Sequence, residues 1–341
     1  MGRLSVQGFS TAKIIKLVYN SGVTQPSSAI PGFRTRLLLG TGQTSIVYLA
    51  DDKDGREVAL KVPRPEIRND PILGKVFYNE VVMLKTLDHP NVVRYFTGVP
   101  SGGHAHLAVQ YFPEGELNST QMSLETILAI LLDIASALEY CHSKKVVHQD
   151  VKPNNIYTAN GRGFLADFGA ASSDKNPTPP AGSPFYMAPE VFRGEHGTPK
   201  SDVYSFSVMA YELLAKRRPI LGESVEELQI AHMTKIPIPI KNMSATVPRS
   251  LAKLIDRGLS KEVGFRPIMR DYRVVLNDIL SGDTVTENDT STQEQTIEMP
   301  PLPGSTEPSM VFGRAPKTAP KAASEKAPTK QGIIGKLFGR K

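Results

Sequence analysis

The chain carries one cysteine and no tryptophan in 341 residues, and no acidic residue precedes Asp51. The lone Cys141 excludes a disulfide within the chain, and its place in an apolar helical pattern reads as a buried thiol in a reducing interior. Long apolar runs are missing too. The best candidate, Leu124 to Leu138, carries Glu125 and Asp133 and falls short of the roughly 18 residues that cross a bilayer. A transmembrane receptor is therefore not expected. The N-terminus also lacks the apolar core of a secretory signal, although its freedom from acids keeps a transit peptide as a minor alternative.

A net charge of +6 would suit nucleic acid if it were spread over a folded surface, but it is segregated at one end. Residues 282–311 hold six acidic and no basic side chains, whereas 312–341 hold eight basic and one acidic. Basic residues are not interleaved with aromatics elsewhere, so no nucleic-acid partner is expected. The terminal stretch is rich in Thr, Ser, Pro, Lys and Ala, which predicts a disordered tail over 282–341, acidic and then basic. Its hydroxyls suit autophosphorylation. At its end Ile333, Ile334, Leu337 and Phe338 fall at helical spacing among Lys336, Arg340 and Lys341; such a segment can dock on an anionic membrane surface or in a partner's groove, and a solvated end is the simpler reading.

Forty per cent hydrophobic content over this length supports two globular lobes. Residues 1–33 read as an N-terminal extension. From Arg34 the pattern is strand-like, and LLLGTGQTSIVYLA sets Gly40, Gly42 and Ser45 in a turn between apolar, β-branched runs. Glycines there would let the backbone approach triphosphate oxygens closely, although Gly-rich hairpins are common. A third strand, EVALKVPR, carries Ala59 and Lys61. A helix follows from Asp70, with Asp70 as cap and Pro71 in the first turn. It places Glu80 on the same side as Leu84, beside Val76, Met83 and Leu87. A strand, HLAVQYF, leads to the second lobe, and Ser123 caps a helix with Glu125 in its first turn that ends near Ser143.

The densest chemistry lies between His148 and Gly169. HQDVKPNN, an apolar segment and ADFG place Asp150, Lys152, Asn155 and Asp167 on two neighbouring loops. Alone, Asp150 would be a turn aspartate. Together these residues offer a carboxylate able to take a hydroxyl proton, a cation, and an amide plus a second carboxylate suited to a hard divalent metal. Phosphoryl transfer needs such a set, because that chemistry is mostly positioning and charge neutralisation.

The chain resembles the eukaryotic-type (Hanks-type) serine/threonine protein kinases from about residue 34 to about residue 280. Their pattern H-R-D-L-x-x-x-N followed by D-F-G is matched in all but a few positions. Coincidence of about ten such residues in order, each with a frequency of roughly one in twenty, is negligible. The resemblance implies an α+β bilobal fold, with a β-rich N-lobe at 34–112 and a helical C-lobe at 113–281. It implies ATP and Mg2+ as cofactors and a protein substrate. Asp150 would be the catalytic base, Lys152 the neutralising cation, and Asn155 and Asp167 the metal ligands. Gly40, Gly42 and Val47 match the phosphate loop, with Ser45 in place of its third glycine. Ala59, Lys61, Glu80, Val109, Gln110 and Phe112 complete the nucleotide site; Val109 guards the back of the adenine pocket, and the backbone from Gln110 to Phe112 bonds the base. Glu116 would sit near the ribose or a basic substrate residue.

Further positions follow from the same likeness. Lys152-Pro153 marks serine/threonine specificity, and Ser183 would bridge the catalytic aspartate and lysine. Ala188-Pro189-Glu190 is the anchor whose glutamate pairs with Arg266, and Asp202 braces the catalytic loop. Two departures stand out. Tyr204 replaces the usual tryptophan, and Gln149 replaces the arginine that grips a phosphate on the activation segment, so strong dependence on phosphorylation of that segment is not expected. The short connection after KIPIPI resembles bacterial members, which suggests a bacterial or phage source and cytoplasmic residence. A pseudokinase scaffold is the alternative. Its mark would be loss of Lys61, Asp150, Asn155 or Asp167, and none is lost. A kinase of small molecules is disfavoured by the Ala-Pro-Glu anchor and the peptide platform around Ser183.

Overall fold

A computed structural model describes residues 30–42, 44–67, 70 and 72–282. The expectations for residues 1–29, for the tail beyond 282 and for its terminal amphipathic segment lie outside the described residues.

The first lobe is a five-stranded antiparallel sheet in the order β1-β2-β3-β5-β4. Its strands are β1 (Phe33–Thr41), β2 (Ser45–Asp52), β3 (Glu57–Pro63), β4 (Tyr95–Val99) and β5 (His106–Gln110). Alternation along the strands sorts the residues between two faces. Tyr48, Val58, Leu60, Val62 and Ala108 pack one face into a small core with Ile30. Lys61 pairs across the sheet with Val47 and Leu107, and Ala59 with Leu49 and Val109, so these residues share the opposite face. One period of two thus gathers the expected nucleotide-site residues.

Helix α1 (Leu73–Leu84) covers the sheet on its cleft side. Its cap differs from the expectation. Ile72 is the residue before the first helical turn, yet the Asp70 carboxylate still accepts from the Ile72 and Leu73 amides at 2.8 and 2.7 Å. Those two amides hold the Asp70 carboxyl below the usual range. Pro71 lies outside the described residues.

The second lobe is helical. Helix α2 (Leu124–Ser143) starts where Ser123 Oγ accepts from the Thr126 amide at 3.1 Å, as expected of a cap. It buries Ile127, Ile130, Leu131, Ile134, Leu138 and Cys141, and burial pushes the Cys141 thiol well above its ordinary range. Short strands β6 (Val146–Val147), β7 (Ile156–Ala159), β8 (Arg162–Leu165) and β9 (Ser172–Ser173) carry the chain across the cleft. Then come α3 (Pro189–Phe192), α4 (Pro199–Ala215), α5 (Val225–Thr234), α6 (Ile240–Met243), α7 (Arg249–Gly258) and α8 (Met269–Ser281). Helix α4 is apolar on nearly every side because it runs through the middle of the lobe, which its buried Val203, Phe206, Val208 and Leu213 record. Among the described residues no helix is long and apolar enough to cross a membrane.

Asp133 looked like an interruption of an apolar helix. It is buried, and it binds Arg162 through two bonds of 2.8 and 2.5 Å and the Gly163 amide at 2.9 Å, tying α2 to the β7–β8 hairpin.

Candidate active site

Two backbone amides fix the loop that carries Asp150. His148 and Gln149 donate to the two carboxylate oxygens of Asp202 at 2.8 Å each, so α4 holds the turn from beneath. His142 from α2 shares Asp202 Oδ2, also at 2.8 Å. The His148 ring then spans the site. Its Nε2 lies 3.0 Å from the Ala166 carbonyl and its Nδ1 accepts from the Asp150 amide at 3.3 Å, an arrangement that suits the neutral tautomer with hydrogen on Nε2.

These restraints aim Asp150 into the cleft with every lone-pair direction assigned. Oδ1 accepts from the Ser183 amide and hydroxyl at 2.8 and 2.7 Å, and Oδ2 accepts from Lys152 Nζ at 2.6 Å and Asn155 Nδ2 at 3.0 Å. Lys152 Nζ also donates to Ser183 Oγ at 2.7 Å. One hydroxyl is therefore bound as donor by a carboxylate and as acceptor by an ammonium. Asn155 is buried, and its amide nitrogen is committed to the Asp150 carbonyl at 2.8 Å as well. Its amide oxygen is then the atom it can offer to a cation.

Asp167 lies across from this group in the left-handed region at φ +61°. Its side chain is half exposed, and Oδ1 sits 4.0 Å from Lys61 Nζ. Lys61 in turn contacts Glu80 Oε2 at 2.6 Å. Burial works against the charge on Lys61, but Glu80 and Asp167 outweigh it and hold the amine above the ordinary lysine range. The Lys61 ammonium holds the Asp167 carboxyl below the usual carboxylate range. An ionised, solvent-facing carboxylate and an amide oxygen are the donor types that suit a hard divalent cation that keeps some water or phosphate ligands.

The structure narrows one expectation. The Gln110 amide donates to the Arg94 carbonyl at 2.9 Å, so that group is taken and only other backbone atoms of this connection can meet a base. The Phe112 ring is buried in the second lobe, 5.5 Å from the ring of Tyr157 and 4.7 Å from that of Phe164, so Phe112 can contribute main chain but not its ring. Gly40 pairs with Val47, and the Gly42 amide donates to the Ser45 carbonyl at 2.8 Å. Ser45 itself is buried. Glu116 is bound by Asn154 of the catalytic loop at 2.8 Å.

The protein kinase domain family matches residues 33–273. The chain belongs to the protein kinase family. It is similar to serine/threonine-protein kinase Pkn2 of Myxococcus xanthus, at 33% identity over 71% of this chain and 32% of that protein. It resembles the PknA kinase of Corynebacterium glutamicum at 30% identity over 89% of this chain and 67% of that protein. PrkC of Bacillus subtilis is 30% identical over 66% of this chain and 37% of that protein. The chain thus spans between about a third and two thirds of these relatives.

Within a protein kinase, α1 and the activation segment must agree, and here neutral groups join them. Asn79, beside Glu80, donates to the carbonyls of Phe168, Gly169 and Ala171 at 3.3, 3.0 and 2.7 Å, and its own oxygen accepts from Asn176. Gly169 sits so close to α1 that a Cβ there would lie 2.7 Å from Val76 Cγ1. Gln149, at φ +67°, donates to the Ala170 carbonyl and to Thr178 Oγ1, both at 2.7 Å. The position of the missing arginine is thereby filled by an amide that binds an unmodified threonine. Sequence reading singled out Thr178 only as one of the segment's hydroxyls and did not find Asn79, whose one available signal was a polar residue inside the buried face of α1.

Proposed function

We propose that this chain is a serine/threonine protein kinase that moves the γ-phosphoryl group of ATP to protein hydroxyls, with a catalytic unit spanning about 34–281. The observation that carries the reading is the Ser183 hydroxyl held 2.7 Å from both Asp150 Oδ1 and Lys152 Nζ, because it displays a site built to bind an alcohol by its proton and its lone pair together. A substrate hydroxyl taking equivalent bonds would have its proton directed to Asp150 as the base and its oxygen directed to phosphorus. Lys152 would neutralise charge on the transferring group. Lys61, positioned by Glu80, would bind the non-transferred phosphates, and the face bearing Val47, Ala59 and Val109 would receive the adenine.

Asp167 and the Asn155 amide oxygen would hold Mg2+, which supplies charge neutralisation on the phosphates when bound. Everything else is the chain's own work. Asp202 and His148 fix the turn that carries the base, and Asn155 keeps the Asp150 carboxylate turned toward the acceptor. A nucleotide-binding scaffold without turnover is the reading to be separated from this one.

The test is phosphate transfer from labelled ATP with magnesium by the chain alone and to generic basic and acidic proteins, beside Asp150→Ala. Loss of the base and its electrostatic arrangement should lower transfer by about 100- to 1000-fold. ATP binding with no transfer by the unsubstituted chain would favour the scaffold.

A further inference from the structure

A cation stands over the residues that follow Ser183. Ser183 marks where an alcohol is held, so the chain from Pro184 to Met187 borders any substrate segment placed there. Within it the Phe185 ring is 37% exposed and carries the Arg218 guanidinium 3.8 Å above its centroid. Arg218 reaches it from the turn that ends α4. There Lys216 takes the left-handed conformation at φ +57° and its Nζ donates to the Ser119 carbonyl at 2.9 Å, which turns the following residues back toward the activation segment. Lys216, Arg217 and Arg218 are consecutive, and the first two are exposed.

The carboxylate beside this cation is shared with a phenol. Glu212 accepts from the Tyr186 hydroxyl at 2.6 Å and lies 3.5 Å from Arg218 Nε. A guanidinium has five donors in a planar fork, and one long contact to a shared carboxylate leaves most of that fork for another anion. The Phe185 ring that carries the guanidinium lies two residues after Ser183, whose hydroxyl is bound by Asp150. Stacking on Phe185 limits the rotamers of Arg218, so an incoming anion meets a cation that is already ordered.

We propose that Arg218 is a specificity-determining residue that selects protein substrates with an anionic side chain, carboxylate or phosphoryl, within a few residues of the phosphoacceptor. This rests on the kinase reading above. A basic residue at the same substrate position meets the guanidinium instead of Glu212 and is disfavoured, so the cation both attracts and rejects.

The experiment uses the full chain with ATP, magnesium and serine-acceptor peptides in which each position from three before to three after the acceptor holds Glu, phosphoserine, Ala or Lys. A charge-assisted bond of ordinary strength predicts that at one or more positions kcat/KM favours the anionic peptide over the lysine peptide by about tenfold or more. The Glu and phosphoserine arms show which anion is preferred. Arg218→Ala should bring the ratio to within about twofold of unity, Arg218→Glu should invert it, and Arg218→Lys should keep its sign. Thermal midpoints of the variants check folding. Charge-indifferent or lysine-preferring transfer by the unsubstituted chain overturns the proposal, and so does a ratio that survives Arg218→Glu while overall activity drops, since that marks a structural role. Absence of any ATP turnover, with or without peptide, would instead remove the kinase reading itself.

Discussion

Replacing Arg266 by alanine should remove a large part of the protein's stability, although the residue lies outside the cleft. Its side chain is 0% exposed and that of Glu190 is 3% exposed. Arg266 Nη1 and Nη2 bind the two Glu190 oxygens at 2.7 and 2.8 Å, while Nε meets the Ser260 carbonyl at 2.9 Å and Nη1 the Lys200 carbonyl at 3.0 Å. The guanidinium also lies 4.9 Å from the Tyr204 ring centroid. Removal leaves a buried carboxylate with Ser201 Oγ as its remaining side-chain donor, at 2.8 Å. An uncompensated buried charge costs about 3–5 kcal/mol, out of a total stability of about 5–15 kcal/mol. For a domain of this size that is a fall of about 6–20 °C in the thermal midpoint.

Urea unfolding followed by circular dichroism measures the loss directly, and two controls sharpen it. The double variant Glu190→Leu, Arg266→Met removes both charges and should recover most of the deficit, leaving about 1–3 kcal/mol for orphaned carbonyls. Acidification supplies the second control. In the native protein burial would raise the Glu190 pKa, but Arg266 overrides it and holds the carboxyl low. Without Arg266 the folded carboxyl rises above its unfolded value, so the folded state binds more protons and the deficit should shrink as pH falls toward the ordinary carboxylate range. A loss under about 1 kcal/mol for Arg266→Ala, or a double variant no better than the single, would refute the assignment of the pair as the clamp of this lobe.

Three further outcomes are expected. Ser183→Ala should lower transfer about tenfold or more by freeing Asp150 and Lys152 from a common partner, and Ser183→Thr, which keeps the hydroxyl, should restore most of it; equal rates for both variants would show that positioning is not its role. Alanine at Ser172, Ser173 or Thr178, one at a time, should leave transfer within about tenfold, since a neutral hydrogen bond contributes only about 0.5–1.5 kcal/mol; a larger loss at Ser172 or Ser173 would restore phosphorylation of the segment as a requirement. His232 is buried against Tyr204 OH at 2.8 Å, and burial followed by the Lys261 charge pushes its pKa down to about 3. Between about pH 6.5 and that value the unfolded chain takes a proton that the folded chain refuses, so stability should fall by up to about 1.4 kcal/mol per pH unit. His232→Gln should flatten that acid limb in urea midpoints measured from pH 7 to 5, and identical pH profiles would contradict it.

The parts legible in the sequence were those with local spacing. HQDVKPNN and ADFG announced Asp150, Lys152, Asn155 and Asp167 because the chemistry sits on two short loops, and the strand period placed Val47, Ala59 and Lys61 on one face. Glu190 with Arg266 was found only through the family resemblance, since nothing local joins residues 76 positions apart. Asp133 with Arg162, Asn79 with Asn176, and Arg218 on Phe185 left no such trace. Each pairs side chains whose meeting depends on how the helices and loops pack, which no period or cap encodes. Asp70 shows the smaller failure: the capping atoms were foreseen, but the chain inserts Ile72 before the first helical turn.

Two of the joints that hold the activation segment, Asn79 to Asn176 and Gln149 to Thr178, are made of amides, hydroxyls and carbonyls. A joint without formal charge is hardly loosened by salt, and a phosphatase finds nothing there to remove. A kinase joined in this way would be ready as soon as it is folded. Its output would then follow its abundance and the substrates within its reach, and any timing of the signal would have to come from whatever sets those two.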